Sequence, residues 1–340
     1  HVADRNDRRR IARSCQAIEA VIALLLAAGS TMGWISEHLI FALVFAVGGV
    51  RAFETPALQA MLPALVPTRL LPRAVASSAT ATQSAIIIGP AVGGMLYVAG
   101  PAWTYGVCAV MFATAALLTS RIQYEHVVRT REPATLKSVF AGLAFIRSRE
   151  AILGAITLDM IAVLLGGVTA LLPIYASDIL HTGPWGLGFL RSAPAVGALT
   201  VALYLARHPL QRHAGRTMFA AVAVFGAVTI VFGLSRWFPL SFAALVLLGA
   251  SDMISVVVRS SLIQLGTPDA MRGRVSAVNA MFIGTSNQLG EFESGVTAAW
   301  LGTVPSVVVG GVGTILAVLL GLRLFPKLAR IDRLESVRHV

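Results

Sequence analysis

The sequence predicts an all-α, polytopic membrane protein made of two related halves, and three observations lead there. Of its 340 residues, 56% are apolar and only 13% charged, with a mean hydropathy of +0.77. A soluble domain carries roughly 25% charged residues to clothe its surface, so this chain needs a different solvent. Ten stretches each approach the ~20 mostly apolar residues that a helix needs to cross a bilayer. The chain also matches itself at a common offset. The same composition excludes a disordered chain, a collagen-like fibre and a disulfide scaffold.

The ten predicted spans are 14–32, 39–65, 74–98, 103–120 and 152–175, then 187–206, 218–234, 240–265, 275–300 and 304–324. Lipid offers the backbone no hydrogen-bond partner, so only helices or a closed barrel can cross it. Barrel strands would be about half as long and would alternate in polarity, which these segments do not. The first four spans fall in an N-terminal half, 1–120, and the last six in a C-terminal half, 151–325. Between them, 121–150 is a polar linker. Its part 136–145 spaces apolar residues at helical intervals and is expected to form a helix along the membrane face. A tail, 326–340, follows the last span.

The net charge of +11 follows the loops. Twenty-five of the 27 basic residues are Arg, a bias typical of GC-rich bacterial genomes. On one side of the predicted bundle lie 24 of the 27, among them Arg69, Arg73, Arg259, Arg272 and Arg274. The opposite loops hold Arg236, while Arg51 and Arg191 fall inside spans. The positive-inside rule puts the 24 in the cytoplasm, with both chain ends. The basic charge therefore implies no nucleic-acid partner. The two cysteines, Cys15 and Cys108, lie in apolar stretches without ligand spacing, so neither a metal site nor a disulfide is expected, and no cofactor.

Shifting the chain by 201 residues aligns Ile88-Gly89-Pro90-Ala91-Val92-Gly93-Gly94 with Leu289-Gly290-Glu291-Phe292-Glu293-Ser294-Gly295. The same shift pairs Pro67 with Pro268, Arg73 with Arg274 and Ala76 with Ala277, and a shift of 203 lays Arg9 and Arg13 on Arg212 and Arg216. A shared offset with helix order preserved is the mark of an internal duplication. The second repeat begins near Ile152, so its partner is expected to begin about 50 residues before His1, room for two more helices. The intact protein is expected to have twelve.

Three motifs carry a family resemblance. Ala3-Asp4-Arg5-Asn6-Asp7-Arg8-Arg9-Arg10 resembles the signature loop between the second and third helices of the major facilitator superfamily. Arg51-Ala52-Phe53-Glu54 resembles that family's fourth-helix motif, with Glu54 where Gln is commoner and Thr55 where Gly is expected. Gly89-Pro90-Ala91-Val92-Gly93-Gly94 resembles the G-P-x-x-G-G element of its proton-driven antiporters. The segments 51–67 and 273–295, with Arg272-Gly273-Arg274, are similar to the bacterial branch that contains enterobactin-type siderophore exporters. The resemblance covers the chain as helices three to twelve. It implies an inner-membrane secondary transporter, a proton-coupled exporter of a small amphipathic compound, working as a monomer by alternating access. Its partners would be the small-molecule substrate, protons and the bilayer.

Charged side chains inside spans are the candidate pathway, because each is costly there unless it faces a wet cavity or a partner. Arg51 and Glu54 are one helical turn apart and are expected to share a face and pair. The 201 shift maps Arg51 onto Asp252, the expected partner across the two halves. Glu291 and Glu293 are two residues apart and diverge, so one is expected to face the cavity and the other the protein interior. Asp159 is a further candidate, expected to make contacts within its own bundle, and Glu19 is expected to be solvated near the interface. Asp4, Arg5, Arg8 and Arg9 form the expected gating loop. Gly89-Pro90 bends its helix, and Gly93 and Gly94 admit a close neighbour, an arrangement expected to seal the halves against proton leak. No Ser/His/Asp, Cys/His or His/Glu cluster and no phosphate-binding Gly-rich loop occurs, so the chain is expected to be neither an enzyme nor an ATP-driven pump. The rival readings are a non-transporting scaffold or receptor on the same fold, and a symport-driven importer.

Overall fold

The computed structural model describes residues 7–122, 136–208, 210 and 212–332. Among them there is no strand, and the contacts divide the chain into two units, 1–133 and 134–340. Nine helices, or helical runs, among the described residues are long and apolar enough to cross a membrane. The remaining predicted span, 275–300, lies in a helix of 33 residues, Asp269–Leu301, which is long enough but falls outside that group. Asn279, Ser286, Asn287, Gln288, Glu291 and Glu293 dilute its apolar content.

The first unit holds α1 (Arg8–Met32), α2 (Glu37–Leu65), α3 (Leu71–Val98) and α4 (Pro101–Arg121). Asp7 caps α1, its side chain accepting from the Arg9 amide at 3.0 Å, and Gly33 ends the helix at φ 71°, where a side chain would be strained. Besides Gly29 near its end, the buried residues of α1 are Ala12, Cys15, Gln16, Glu19, Ile22 and Ala23. Their spacing of three and four makes one stripe. That stripe packs on α4 and α2, and Thr119 of α4 donates to the Gln16 side chain at 2.9 Å. The most apolar windows of α2 and α3 bury none of their residues in this structure. Pro90 lies inside α3 as expected, but a Cβ built at Gly89 or Gly93 would meet nothing within 4 Å. Within this unit and among the described residues, the space beside Gly93 is open.

The second unit begins with α5 (Leu136–Ser148), the helix expected in the linker. It packs with this unit, on α6 and on the long helix α10, where Gly142 sits against the Arg274 carbonyl with no room to spare. Next comes α6 (Glu150–Leu165), which breaks at Gly166-Gly167 and continues as a 3-10 turn, Val168–Leu171, one α turn, Leu172–Ile174, and a π turn, Tyr175–Ile179. Sterics require glycine at both positions of the break. A Cβ on Gly167 would collide with the Gly290 carbonyl and the Ser294 hydroxyl of the facing helix, and one on Gly166 with the Phe225 ring. The rest are α7 (Gly183–Arg207), α8 (Ala214–Leu234), α9 (Phe238–Gly266), α10 (Asp269–Leu301), α11 (Thr303–Leu324) and a last turn, α12 (Pro326–Ala329).

Glycines set how closely these helices approach, as is common where lipid gives helices no hydrophobic drive to associate. Gly197 of α7 lies against the Val246 carbonyl of α9, and Gly249 of α9 against the Pro194 backbone of α7. Gly226 of α8 faces the Gly311 carbonyl of α11 in the same way. A core at one end gathers Leu172, Tyr175, Leu190, Phe232 and Leu245. In it the Tyr175 hydroxyl donates to the Gly233 carbonyl at 2.9 Å, so its polar end is satisfied. The segment 327–332 closes the other side of the unit. Leu328 is fully buried, and the Lys327 ammonium lies 3.0 Å from Glu150 at the start of α6. The Asp332 and Ile331 carbonyls accept from the Ala214 and Gly215 amides, the first two of α8, at 3.2 and 3.1 Å. The Asp332 carboxylate accepts from the His213 amide at 2.9 Å. These amides have no partner within their own helix.

Candidate functional site: charged side chains inside the helices

In the first unit the charged residues lie along α1 and α2. At the start of α1, Asp7 lies 3.8 Å from Arg9 and 3.6 Å from Arg10, and Arg9 also donates to the Ile122 carbonyl beyond α4 at 3.0 Å. This part of the expected gating loop thus ties the start of α1 to the end of α4. Asp4 and Arg5 lie outside the described residues, and Arg8 opens α1. A groove of about 590 Å³ runs from Asp7 and Arg10 past Ser14 and Cys15 of α1, with Gly49 and Phe53 of α2 on its other wall.

Deeper along α1 the expected pairing is corrected. Arg51 does not pair with Glu54, its neighbour one turn on. Its Nε donates to Glu19 Oε1 at 3.2 Å, across the α1–α2 contact. Glu19 is not solvated near an interface either; it is 2% exposed, on the buried stripe of α1. The reason is geometric. Two residues of one helix three apart point along the same side, and the side chain of the packed neighbour reaches between them. Glu54 is half-buried beside this pair, close enough for its charge to act on Glu19.

In the second unit the structure reveals a charged residue that sequence reasoning assigned elsewhere. Arg259, counted above among cytoplasmic loop charges, lies inside α9 and is 3% exposed. Its guanidinium forms an ion pair with Asp159 of α6. Ser255, one turn before Arg259, donates to the other Asp159 oxygen at 2.8 Å. The Arg259 Nε has no hydrogen-bond partner. Asp159 therefore does make contacts within its bundle, as the tie between α6 and α9.

Asp252 is half-buried on α9, two turns before Arg259, and no ion pair within its own unit reaches it among the described residues. On α10, Glu291 is exposed and Glu293 half-buried. The backbone carbonyl of Glu293 accepts from Thr297, whose hydroxyl lies 2.7 Å from that of Ser306 on α11. No group of three or more His, Cys, Asp or Glu among the described residues is placed to hold a metal ion. What the arrangement does is hold ionised side chains in pairs within helices.

The family model described as transmembrane secretion effector matches residues 1–339. The enterobactin exporter of Citrobacter koseri is 30% identical over 276 residues, covering 81% of this chain and 66% of that protein. That of Escherichia coli O1:K1 is 28% identical over 277 residues, with the same shares. The chain thus spans 66% of the length of these curated relatives. Among solved structures, the fold is similar to a bacterial homologue of the human lysosomal transporter Spinster, inward-facing and unoccupied. The TM-score is 0.70 at 12% identity, over 96% of this chain and 85% of that one. It is also similar to a point mutant of the nucleoside transporter NupG, with a TM-score of 0.71 at 13% identity, over 95% and 85%. A bundle of apolar helices in two units, with ion pairs inside them and this family match along its length, makes the chain a multi-pass membrane protein of the transmembrane secretion effector family, in the enterobactin-exporter-like branch of the major facilitator superfamily.

Proposed function

We propose that the protein is a secondary active transporter of a bacterial inner membrane that exports a small amphipathic compound in exchange for protons. Two halves would rock about a midplane site, with both chain ends cytoplasmic. The observation that carries this reading is a carboxylate–guanidinium pair, Glu19 with Arg51, inside two spans of a chain from a secretion family. Ionisable groups at such depth are expensive and mark ion and substrate pathways. Asp252 and Glu293 are the carboxylates of the second unit best placed to take part, being half-buried and without an ionic partner there among the described residues. The relatives are exporters of enterobactin by name, which makes enterobactin the first compound to try.

In everted membrane vesicles acidified inside by respiration, adding enterobactin is expected to release the stored pH gradient only where the protein is present. A gradient unmoved by enterobactin and by a panel of amphipathic dyes, at normal membrane abundance, would falsify the reading. The α3 glycines give a second check. Because nothing lies within 4 Å of a Cβ at Gly93, Gly93→Leu is expected to leave abundance normal and to lower export about tenfold, by blocking the approach of a neighbour in another state. Undiminished export at equal abundance removes that role.

A further inference from the structure

The longest helix of the second unit, α10, carries polar side chains at a depth where they are costly. It runs for 33 residues, and the middle of the span 275–300 falls at Asn287-Gln288. From there either edge of the hydrocarbon is about 15 Å away, beyond the reach of an amide or carboxyl side chain. One side of α10 packs on α6. A Cβ on Gly290 would meet the Val163 and Leu164 backbone, and Ser286 and Ser294 are buried on that side. Ser286 satisfies itself by donating to the Ile283 carbonyl at 3.2 Å.

The side turned away from α6 carries Gly284, Gln288, Glu291 and Gly295, spaced four, three and four, all exposed. Asn287 flanks them on one edge, and Phe292, 71% exposed, on the other. Asn287, Gln288 and Glu291 make no side-chain hydrogen bond or ion pair among the described residues. A Cβ at Gly284 or Gly295 would meet nothing within 4 Å, so small residues leave a notch on either side of the Gln288–Glu291 pair. Polar groups at this depth mark a wet path rather than a lipid contact. The face also has a definite chemistry. The carboxylate accepts hydrogen bonds, and each amide both accepts and donates. Between Val275 and Leu301 there is no Arg, Lys or His, so an anion finds no counter-charge here. A bare organic cation would satisfy Glu291 and leave the amide N–H groups unused. Hydroxyl groups use both, donating to Glu291 and accepting from Gln288, and Phe292 offers its ring to an aromatic body.

We propose that this face of α10 is a binding wall for a phenolic compound, with Gln288 and Glu291 holding its hydroxyl groups and Phe292 its ring. The compound is held by hydrogen bonds and ring contact alone. The inference rests on the transporter reading and gives it a substrate class, an uncharged hydroxylated aromatic.

The test uses the full chain in liposomes and begins with access. Gly284→Cys and Gly295→Cys are expected to react with a charged methanethiosulfonate at least about tenfold faster than Leu316→Cys, on the exposed apolar side of α11. Propyl gallate, an uncharged phenol, is expected to slow labelling at both α10 positions; its trimethyl ether, which has no O–H donors, is not. In direct binding measurements Gln288→Leu and Glu291→Gln are each expected to weaken propyl gallate about tenfold and to leave the weaker binding of the ether unchanged. General structural damage would weaken both compounds alike. Labelling as slow as at position 316 means that lipid or another helix covers the face, and overturns the proposal. Fast labelling that propyl gallate leaves unchanged overturns it too, as does protection by ethidium alone, which assigns the face to organic cations. Release of the pH gradient in everted vesicles is read separately. If protection holds without any release, the site stands and proton exchange falls; if release occurs without protection, the transporter stands and this site falls.

Discussion

Replacing Arg259 by Ala is expected to be among the most damaging single changes in the second unit, lowering stability by about 3–5 kcal/mol. The substitution leaves the Asp159 carboxylate buried, with Ser255 as its remaining hydrogen-bond partner. An uncompensated buried charge is costly, whereas the intact pair roughly balances its own desolvation. The prediction therefore has a second half. Replacing both partners with apolar residues of similar size, Asp159→Leu with Arg259→Met, is expected to restore most of what Asp159→Leu or Arg259→Met alone removes. Thermal unfolding of the detergent-solubilised protein, followed by size-exclusion of the surviving fraction, gives the four stabilities of the cycle. Additive losses in the double variant would show that the two side chains act independently.

The second large effect concerns the contact between α7 and α9. Gly249→Ala adds a single methyl group, yet its Cβ falls on the Pro194 backbone, which has no rotamer to turn aside. The helices must separate, and a loss of about 3 kcal/mol or more is expected, at or above the usual cost of overpacking a core. Gly284→Ala is the matched control, a helical glycine of α10 with nothing within 4 Å of its Cβ. There the better helix propensity of Ala leads to no loss, or a gain of up to about 1 kcal/mol. Equal thermal stability of the two variants would mean that α7 and α9 are not held by this close approach.

The spans were readable because a bilayer imposes one strong requirement, about 20 apolar residues in a row. Nine of the ten announce themselves by hydropathy, and Asp269–Leu301 fell outside because its polar residues dilute that signal. The break at Gly166-Gly167 was not readable: paired glycines are ordinary in membrane helices, and it is the Gly290 carbonyl, far along the chain on α10, that forbids a side chain. The candidate residues were legible as types rather than as partners. A buried Arg near a span end, as Arg259 is, looks in sequence like any loop Arg. Spacing within one helix favoured Arg51 with Glu54, but the Glu19 carboxylate comes from the packed neighbour, and that contact is fixed by side-chain packing between α1 and α2. Among the described residues of its own unit, Gly93 has nothing within 4 Å of a Cβ. A glycine permits an approach without requiring it.

The capping of α8 by the chain end also has a consequence for biosynthesis. The first amides of α8 emerge from the ribosome long before their acceptors, since Asp332 follows His213 by 119 residues. Until then those groups must be met by water or headgroups, and the Leu328 seat beside Gly215 stands open. The second unit can therefore reach its final form only after nearly all of the described chain has been made, and its last stitch closes at the start of α8. A nascent chain arrested before Asp332 should remain accessible to a cysteine reagent at position 214, and one released after it should not.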